Sequence, residues 1–216
     1  MRWTDHDRLS DAEAAIASGH LVIVPTNRWY MICADAGDED ACQRIFDAKR
    51  RPADKPLALI APSSEVCERL FVLTAEARAL ADQFWPGDLA MLMRWREAED
   101  ARRYSSVGAP ALVTRDPGTL GELARRSGTL VAATTVNISG QAGDGTPGPA
   151  VSPCEVDEFL ELTGTEVHVA IDGGVCPEAN HLTIVDCSSN RARIARPGLV
   201  HARAIAATLG REVNVM

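Results

Sequence analysis

Hydrophobic and polar positions along this chain switch repeatedly between a helical and a strand period. A short helical pattern over Asp11–Ser18 gives way to the β-branched run "HLVIV" (20–24), which Pro25 stops. Over 39–49, "EDACQRIFDAK" places Ala41, Cys42, Ile45 and Phe46 on one helical face. "LALIA" (57–61) predicts a buried strand, and helices are expected over Ser64–Phe71 and Ala75–Phe84. "LAMLMRW" (89–95) and "ALVT" (111–114) predict further strands, with the polar "EAEDARRYSSVG" between them read as a loop. A helix over Leu120–Ser127, a strand "TLVAAT" (129–134) and a Gly/Pro-rich stretch from Ser139 to Pro149 follow. Ser152 as N-cap, Pro153 in the first turn and Glu155 closing a capping box announce the next helix. Strands "VHVAI" (167–171), "LTIVD" (182–186) and "RARIA" (191–195) and a helix over roughly 200–209 complete the pattern. Such alternation predicts an α/β sheet with helices packed on it. The last two strands are joined too tightly for a helical crossover, so mixed strand directions are expected.

Composition narrows the class. At 216 residues and 46% hydrophobic, without long linkers or repeats, the chain reads as a single domain over 1–216. A net charge of −8 argues against a basic coat for nucleic acid and against attraction to an anionic membrane. No apolar run approaches the ~20 residues of a spanning helix, and "MRWTDHDRLSD" is not a signal peptide, so the cytoplasm is the expected location. Six dispersed cysteines, with no CxxC and no nearby histidine at zinc spacing, read as small buried hydrophobes. No P-loop, no GxGxxG after the first strand and no GxSxG elbow is present, and the five histidines form no constellation.

What remains is polar and cationic groups at strand ends. The densest is "DAKRRPADKP" (47–56), where Lys49, Arg50, Arg51 and Lys55 gather at one helix-to-strand junction of an acidic chain. Thr26-Asn27 follows the first strand, Arg115-Asp116 follows "ALVT", "TTVNISG" (134–140) follows its strand, and "RPG" (196–198) lies near the end. In open α/β sheets ligands collect outside strand ends, and Arg, Lys, Asn and Ser/Thr there suit a small polyanion.

These residues resemble the YrdC family, the enzymes that make threonylcarbamoyl-adenylate for tRNA modification, over about Leu9 to Val200. "PTNRWYMICADA" (25–36) resembles the family's "PTxTxYGLxxDA", and "IFDAKRRPADKPL" (45–57) its "IFxxKxRPxxKPL". "FWPG" (84–87), "TRDPG" (114–118), "TTVNISG", "DGGVCP" (172–177) and "RPG" resemble its "WPGPLT", "VRxP", "PSANxSG", "DGGxCP" and "xRPG" in the same order. The resemblance implies a twisted mixed sheet flanked by helices, with a large concave cavity lined by cations. It implies that L-threonine, bicarbonate and ATP, with Mg2+, give threonylcarbamoyl-AMP and pyrophosphate. A downstream transferase would then pass the group to tRNA. Lys49 and Arg51 would be catalytic; Lys55, Arg115, Thr135, Asn137, Ser139 and Arg196 would bind ATP. Thr26, Arg28, Tyr30, Met31, Leu182 and Thr183 would line the acceptor pocket, while Arg50 breaks the spacing and would face solvent. Longer members carry a further C-terminal domain that this chain is expected to lack.

The departures are concentrated in the acceptor region. Arg28 stands for the second Thr of "PTxT", Met31 for the Gly after Tyr30, and Leu182 for the Ser of "STVVD". Elsewhere, the family's "WPGPLT" region is cut short as "WPGDLA". Compensated drift would keep threonine, with Arg28 paired to a carboxylate or to a local aspartate such as Asp35. Alternatively the pocket is rebuilt, narrower and more positive, for another amine acceptor, or the protein only binds nucleotide; Arg28 turned to solvent is the bland alternative. A double-stranded RNA-binding module is the competing class, disfavoured by the acidic balance and few aromatic residues. Ser139–Pro149 is expected to act either as a lid or as a plain connection.

Overall fold

The structure is a computed structural model that describes residues 1–5, 8–140, 148–177 and 179–216, with Arg2 through its backbone alone. Its strands are β1 (Arg2–Thr4), β2 (Val22–Pro25), β3 (Tyr30–Asp35), β4 (Ala58–Ile60), β5 (Leu89–Met93) and β6 (Ala111–Thr114). β7 (Val131–Thr135), β8 (Val169–Ile171), β9 (Thr183–Asp186) and β10 (Arg193–Arg196) complete one sheet, ordered β1-β8-β2-β3-β7-β4-β6-β5-β9-β10. Directions are mixed: β9 and β10 pair antiparallel, as their tight connection requires, whereas β4 and β6 pair parallel.

The helices are α1 (Leu9–Ala17), α2 (Glu39–Lys49), α3 (Ser64–Leu70), α4 (Ala75–Phe84), α5 (Ala98–Arg103), α6 (Thr119–Arg126), α7 (Pro153–Thr163) and α8 (Ala202–Leu209). Side chains cap their starts: Asp38 accepts from the Ala41 N–H, Thr74 from Ala77, and Ser152 from Glu155. Glu155 reaches back to the Val151 N–H, one residue before the position a standard capping box would use.

Four elements depart from the sequence reading. β1 and β3 were not expected, and the supposed loop 97–108 contains α5 and a 3-10 turn, Ser105–Val107. β3 is hidden because its core positions Ile32, Cys33 and Ala34 are consecutive and fully buried, so no polar alternation marks it. α5 buries none of its residues and therefore has no apolar face to reveal it. The Gly/Pro stretch Ser139–Pro149 includes 141–147, which lie outside the described residues, so the lid reading is not addressed by the structure.

Two apolar cores flank the sheet. The larger joins Leu21, Ile32, Leu59, Met91 and Val113 to helices α2, α4, α7 and α8. The smaller places Val24, Cys33, Ile60 and Ala133 under Leu9 and Ile16 of α1 and Leu120 and Leu123 of α6. On this second face no buried helix residue covers β6, β5 and β9, where Leu112, Leu92 and Ile184 stay half-buried. That half of the face is open among the described residues, and the candidate site residues gather around it.

Candidate functional site

The helix-to-strand junction is built on Lys49. It ends α2 at 1% exposure, and its ammonium donates to the Thr135 carbonyl, to the Asn137 carbonyl at 2.7 Å and to Asn137 Oδ1 at 3.0 Å. Thr135 Oγ1 donates to the same Asn137 Oδ1 at 2.7 Å, and the Ser139 N–H donates to the Lys49 carbonyl at 2.8 Å. Lys49 therefore ties the end of α2 to the turn leaving β7. Burial, with Arg51 nearby, pushes its pKa down to about 7. The three surrounding oxygens favour the protonated form and act against that shift.

Arg50 follows in the left-handed region, φ 47°, with its side chain exposed, so the chain reverses here and Arg51 points a different way. Arg51 Nε donates to the Lys55 carbonyl at 2.7 Å and Nη2 to the Pro56 carbonyl at 2.8 Å, bracing the loop before β4. Lys55 is exposed, with its ammonium 3.9 Å from where a Cβ on Gly140 would lie. Of the "KRRPADK" cations, Lys55 thus overhangs the 139–140 turn, Arg51 frames it, and Lys49 lies beneath it. This explains why an acidic protein concentrates positive charge at one junction.

A second group forms across the sheet. The β2–β3 turn is shaped by Thr26, whose hydroxyl donates to the Trp29 carbonyl and accepts from the Arg28 and Trp29 N–H groups. Arg28 is 7% exposed and pairs with Asp88, just before β5, and at 3.9 Å with Asp116, just after β6. By strand register, the starts of β3 and β5 lie at opposite ends of the sheet, four places apart in its order. They meet because the sheet twists and the turn leans over its open face. Trp29 makes a parallel crossing, its ring 5.7 Å from that of His181 before β9. His181 is held below its ordinary pKa by burial and by Arg196. Arg196 itself donates to the Leu182 carbonyl at 3.0 Å.

Several expected site residues sit elsewhere. Arg115 shares its strand parity with the core residue Val113 and bonds Ser64 Oγ at 2.9 Å, away from the cationic turn. Its neighbour Asp116 faces the open side instead, its carboxyl raised above the usual carboxylate range by burial. Tyr30 is fully buried, donating to the Gly174 carbonyl and accepting from the Gly173 N–H. Thr183 is also fully buried and bonded to Val200. Neither presents its side chain at the surface, whereas Met31 and Leu182 are half-buried. The glycines of "DGGVCP" and "RPG" permit close approach: a Cβ on Gly173 would lie 2.6 Å from Pro25, and one on Gly198 2.4 Å from the His181 carbonyl.

The Arg28 pairing corrects two sequence readings. Its partners are Asp88 and Asp116, neither Asp35 nor solvent, while Asp35 accepts from the Gly37 N–H. The expected gain in positive charge at this position is also absent, because two carboxylates face one guanidinium. Asp88 was the missed residue, and its signal was its coincidence with Arg28 as a second departure from the family pattern.

Comparison with known proteins places this geometry. Residues 14–198 match the family model Sua5_yciO_yrdC, described as telomere recombination. The chain belongs to the Sua5/YciO/YrdC family. It is 33% identical over 193 residues to the threonylcarbamoyl-AMP synthase of Pyrococcus abyssi, and 26% identical over 209 residues to that of Bacillus subtilis. It spans only 53% and 58% of those two proteins' lengths, but 88% of a Mycobacterium tuberculosis relative at 31% identity. The solved P. abyssi Sua5 complexed with L-threonine superposes with a TM-score of 0.84 at 29% identity, covering 100% of this chain and 61% of that one. Escherichia coli YciO, at TM-score 0.75 and 18% identity, shares the Sua5/YciO/YrdC fold.

Proposed function

We propose that the chain is a threonylcarbamoyl-AMP synthase, joining L-threonine, bicarbonate and ATP for the tRNA threonylcarbamoyladenosine pathway. The observation that supports it most is the junction where Lys55 and Arg51 stand at the turn that Lys49 fixes through Thr135 and Asn137. In this reading threonine's amine adds to bicarbonate-derived CO2 and loses a proton, forming a carbamate. A carbamate oxygen attacks the α-phosphorus, and pyrophosphate leaves. Lys55, Arg51, Ser139 and Arg196 bind the nucleotide and offset the charge that develops on the phosphates. Lys49, having no free donor, acts as a positioning residue. Mg2+ enters with the nucleotide, held by phosphate oxygens; no cluster of three or more His, Cys, Asp or Glu that could hold an ion occurs among the described residues. No helix of the described residues is long and apolar enough to cross a membrane. A downstream transferase would consume the adenylate.

A reading with another small amine acceptor is favoured only by the Arg28–Asp88–Asp116 group, in which Arg28 stands for a threonine and Asp88 for a proline of the family pattern. A pyrophosphate-release assay with ATP, Mg2+ and bicarbonate, run across the amino acids, separates the two. Threonine as the best acceptor supports the proposal; release with a different amine and none with threonine overturns it.

Within the cationic loop, Arg51→Ala should weaken ATP binding by roughly tenfold or more, the equivalent of one charge-assisted contact. Arg50→Ala should leave it within about twofold, because that side chain is exposed and turned away. Calorimetric ATP titration reads both, and equal small effects would remove the loop from the nucleotide site.

A further inference from the structure

At the end of the sheet where β3 and β4 finish and β7 begins, opposite the Lys49 turn, lies a separate pocket of about 340 Å³. Three arginines from three helices line it: Arg69 of α3, Arg103 of α5 and Arg125 of α6. Each is exposed and sits in the last turn of its helix. A cation there offsets the helix dipole, which accounts for one arginine at a time. It does not account for three helices ending around one hollow in a chain of net charge −8.

The charges opposing them are few. Asp35 lines the pocket, with one oxygen accepting from the Gly37 N–H at 2.8 Å, and Glu122 pairs with Arg125. Arg69 forms no ion pair among the described residues, and Arg103 lies over the Tyr104 ring at 5.3 Å from its centroid. Thr129 also borders the pocket, and its Oγ1 is buried without a hydrogen-bond partner. A χ1 rotation would make that hydroxyl a donor to a bound group. Forked guanidinium donors converging with a hydroxyl match tetrahedral oxyanions, which arginine binds through paired N–H groups.

We propose that this pocket is a second anion site, distinct from the Lys49–Lys55 junction, that takes the phosphates of a small phosphorylated ligand, with inorganic diphosphate as its probe. The proposal does not depend on the synthase reading. Inorganic diphosphate is titrated calorimetrically into the full chain at low ionic strength, comparing the unaltered protein with Arg69→Gln, the Arg69→Ala/Arg103→Ala pair, Lys55→Ala and Arg78→Ala. Arg69→Gln removes an unpaired exposed side chain and so leaves the fold intact; Arg78→Ala is the control for an arginine outside the pocket. The expected result is a diphosphate-binding phase weakened about tenfold by Arg69→Gln and abolished by the pair, but kept in Lys55→Ala and Arg78→Ala. Undiminished binding in the pair, loss confined to Lys55→Ala, or lowered thermal stability without altered binding would each overturn it. So would Arg69-dependent retention of tRNA by a protein that ignores diphosphate. These readouts stand whether or not threonine supports pyrophosphate release.

Discussion

Lys49→Met should lower the melting temperature by roughly 6–12 °C and eliminate pyrophosphate release. The substitution fills the space left by the aliphatic stem but removes the donor for the Thr135 carbonyl, the Asn137 carbonyl and Asn137 Oδ1. Asn137 Oδ1 keeps the Thr135 hydroxyl, whereas each of the two carbonyls left unpaired costs about 1–3 kcal/mol, about 3 kcal/mol together. In a domain of this size 1 kcal/mol corresponds to about 2–4 °C. Activity falls with stability because the β7 turn is no longer fixed beneath Lys55. The pH dependence carries a further sign. Burial holds the folded pKa at about 7, below the ordinary lysine value of 10.5. Between those values the unfolded chain binds more protons, so this group makes stability rise with pH from about 7 toward 10.5. Lys49→Met should lack that rise, which thermal melts at pH 7 and pH 9 would show. A variant that melts like the unaltered protein at both pH values would mean that Lys49 does not hold the turn.

The elements that place Lys49 were legible in the sequence. α2 was marked by its apolar face of Ala41, Cys42, Ile45 and Phe46, and β7 by the run "TLVAAT". Their patterns are local, and local patterns survive in a single chain. The role of Lys49 was not legible, because a cation in a basic run reads as facing a ligand. Only the fold reveals that three oxygens from the end of β7 and the turn after it surround its ammonium. The same applies to Arg28: its partners Asp88 and Asp116 come from two distant strand ends, and no period in the sequence links them. Arg115 was recoverable in part, since two-residue parity from Val113 already turns it to the larger core and away from the open face.

The second large effect is expected at Arg28. Restoring the family's threonine by Arg28→Thr should destabilise the protein by about 3–5 kcal/mol, the usual cost of removing one partner from a buried ion pair. The Arg28 and Asp116 side chains are 8% and 5% exposed, so Asp116 is left charged and unpaired, whereas Asp88 at 38% can regain water. The loss should therefore be shared unequally: Arg28→Thr/Asp116→Asn recovers most of it and Arg28→Thr/Asp88→Ala only a little. Chemical denaturation of these variants, of the Asp116→Asn and Asp88→Ala single variants and of the unaltered protein measures this coupling directly. It also changes how the acceptor side should be altered. Arg28→Thr, Met31→Gly and Leu182→Ser together would not convert the pocket to the family pattern, because the two carboxylates would remain. With Asp88→Pro and Asp116→Asn added, threonine-dependent turnover should rise while ATP affinity stays within about twofold. Additive losses across the denaturation cycle would show that Arg28 and Asp116 do not interact.

The central claim concerns the product. ATP, Mg2+, L-threonine and isotopically labelled bicarbonate are incubated with the protein, and the adenylates formed are separated and weighed by mass spectrometry. The account predicts an AMP adduct carrying one threonine and one labelled carbon, formed together with pyrophosphate and absent in Lys49→Met. ATP turnover that yields only unmodified AMP or ADP, or a labelled adduct built on an amine other than threonine, would contradict it.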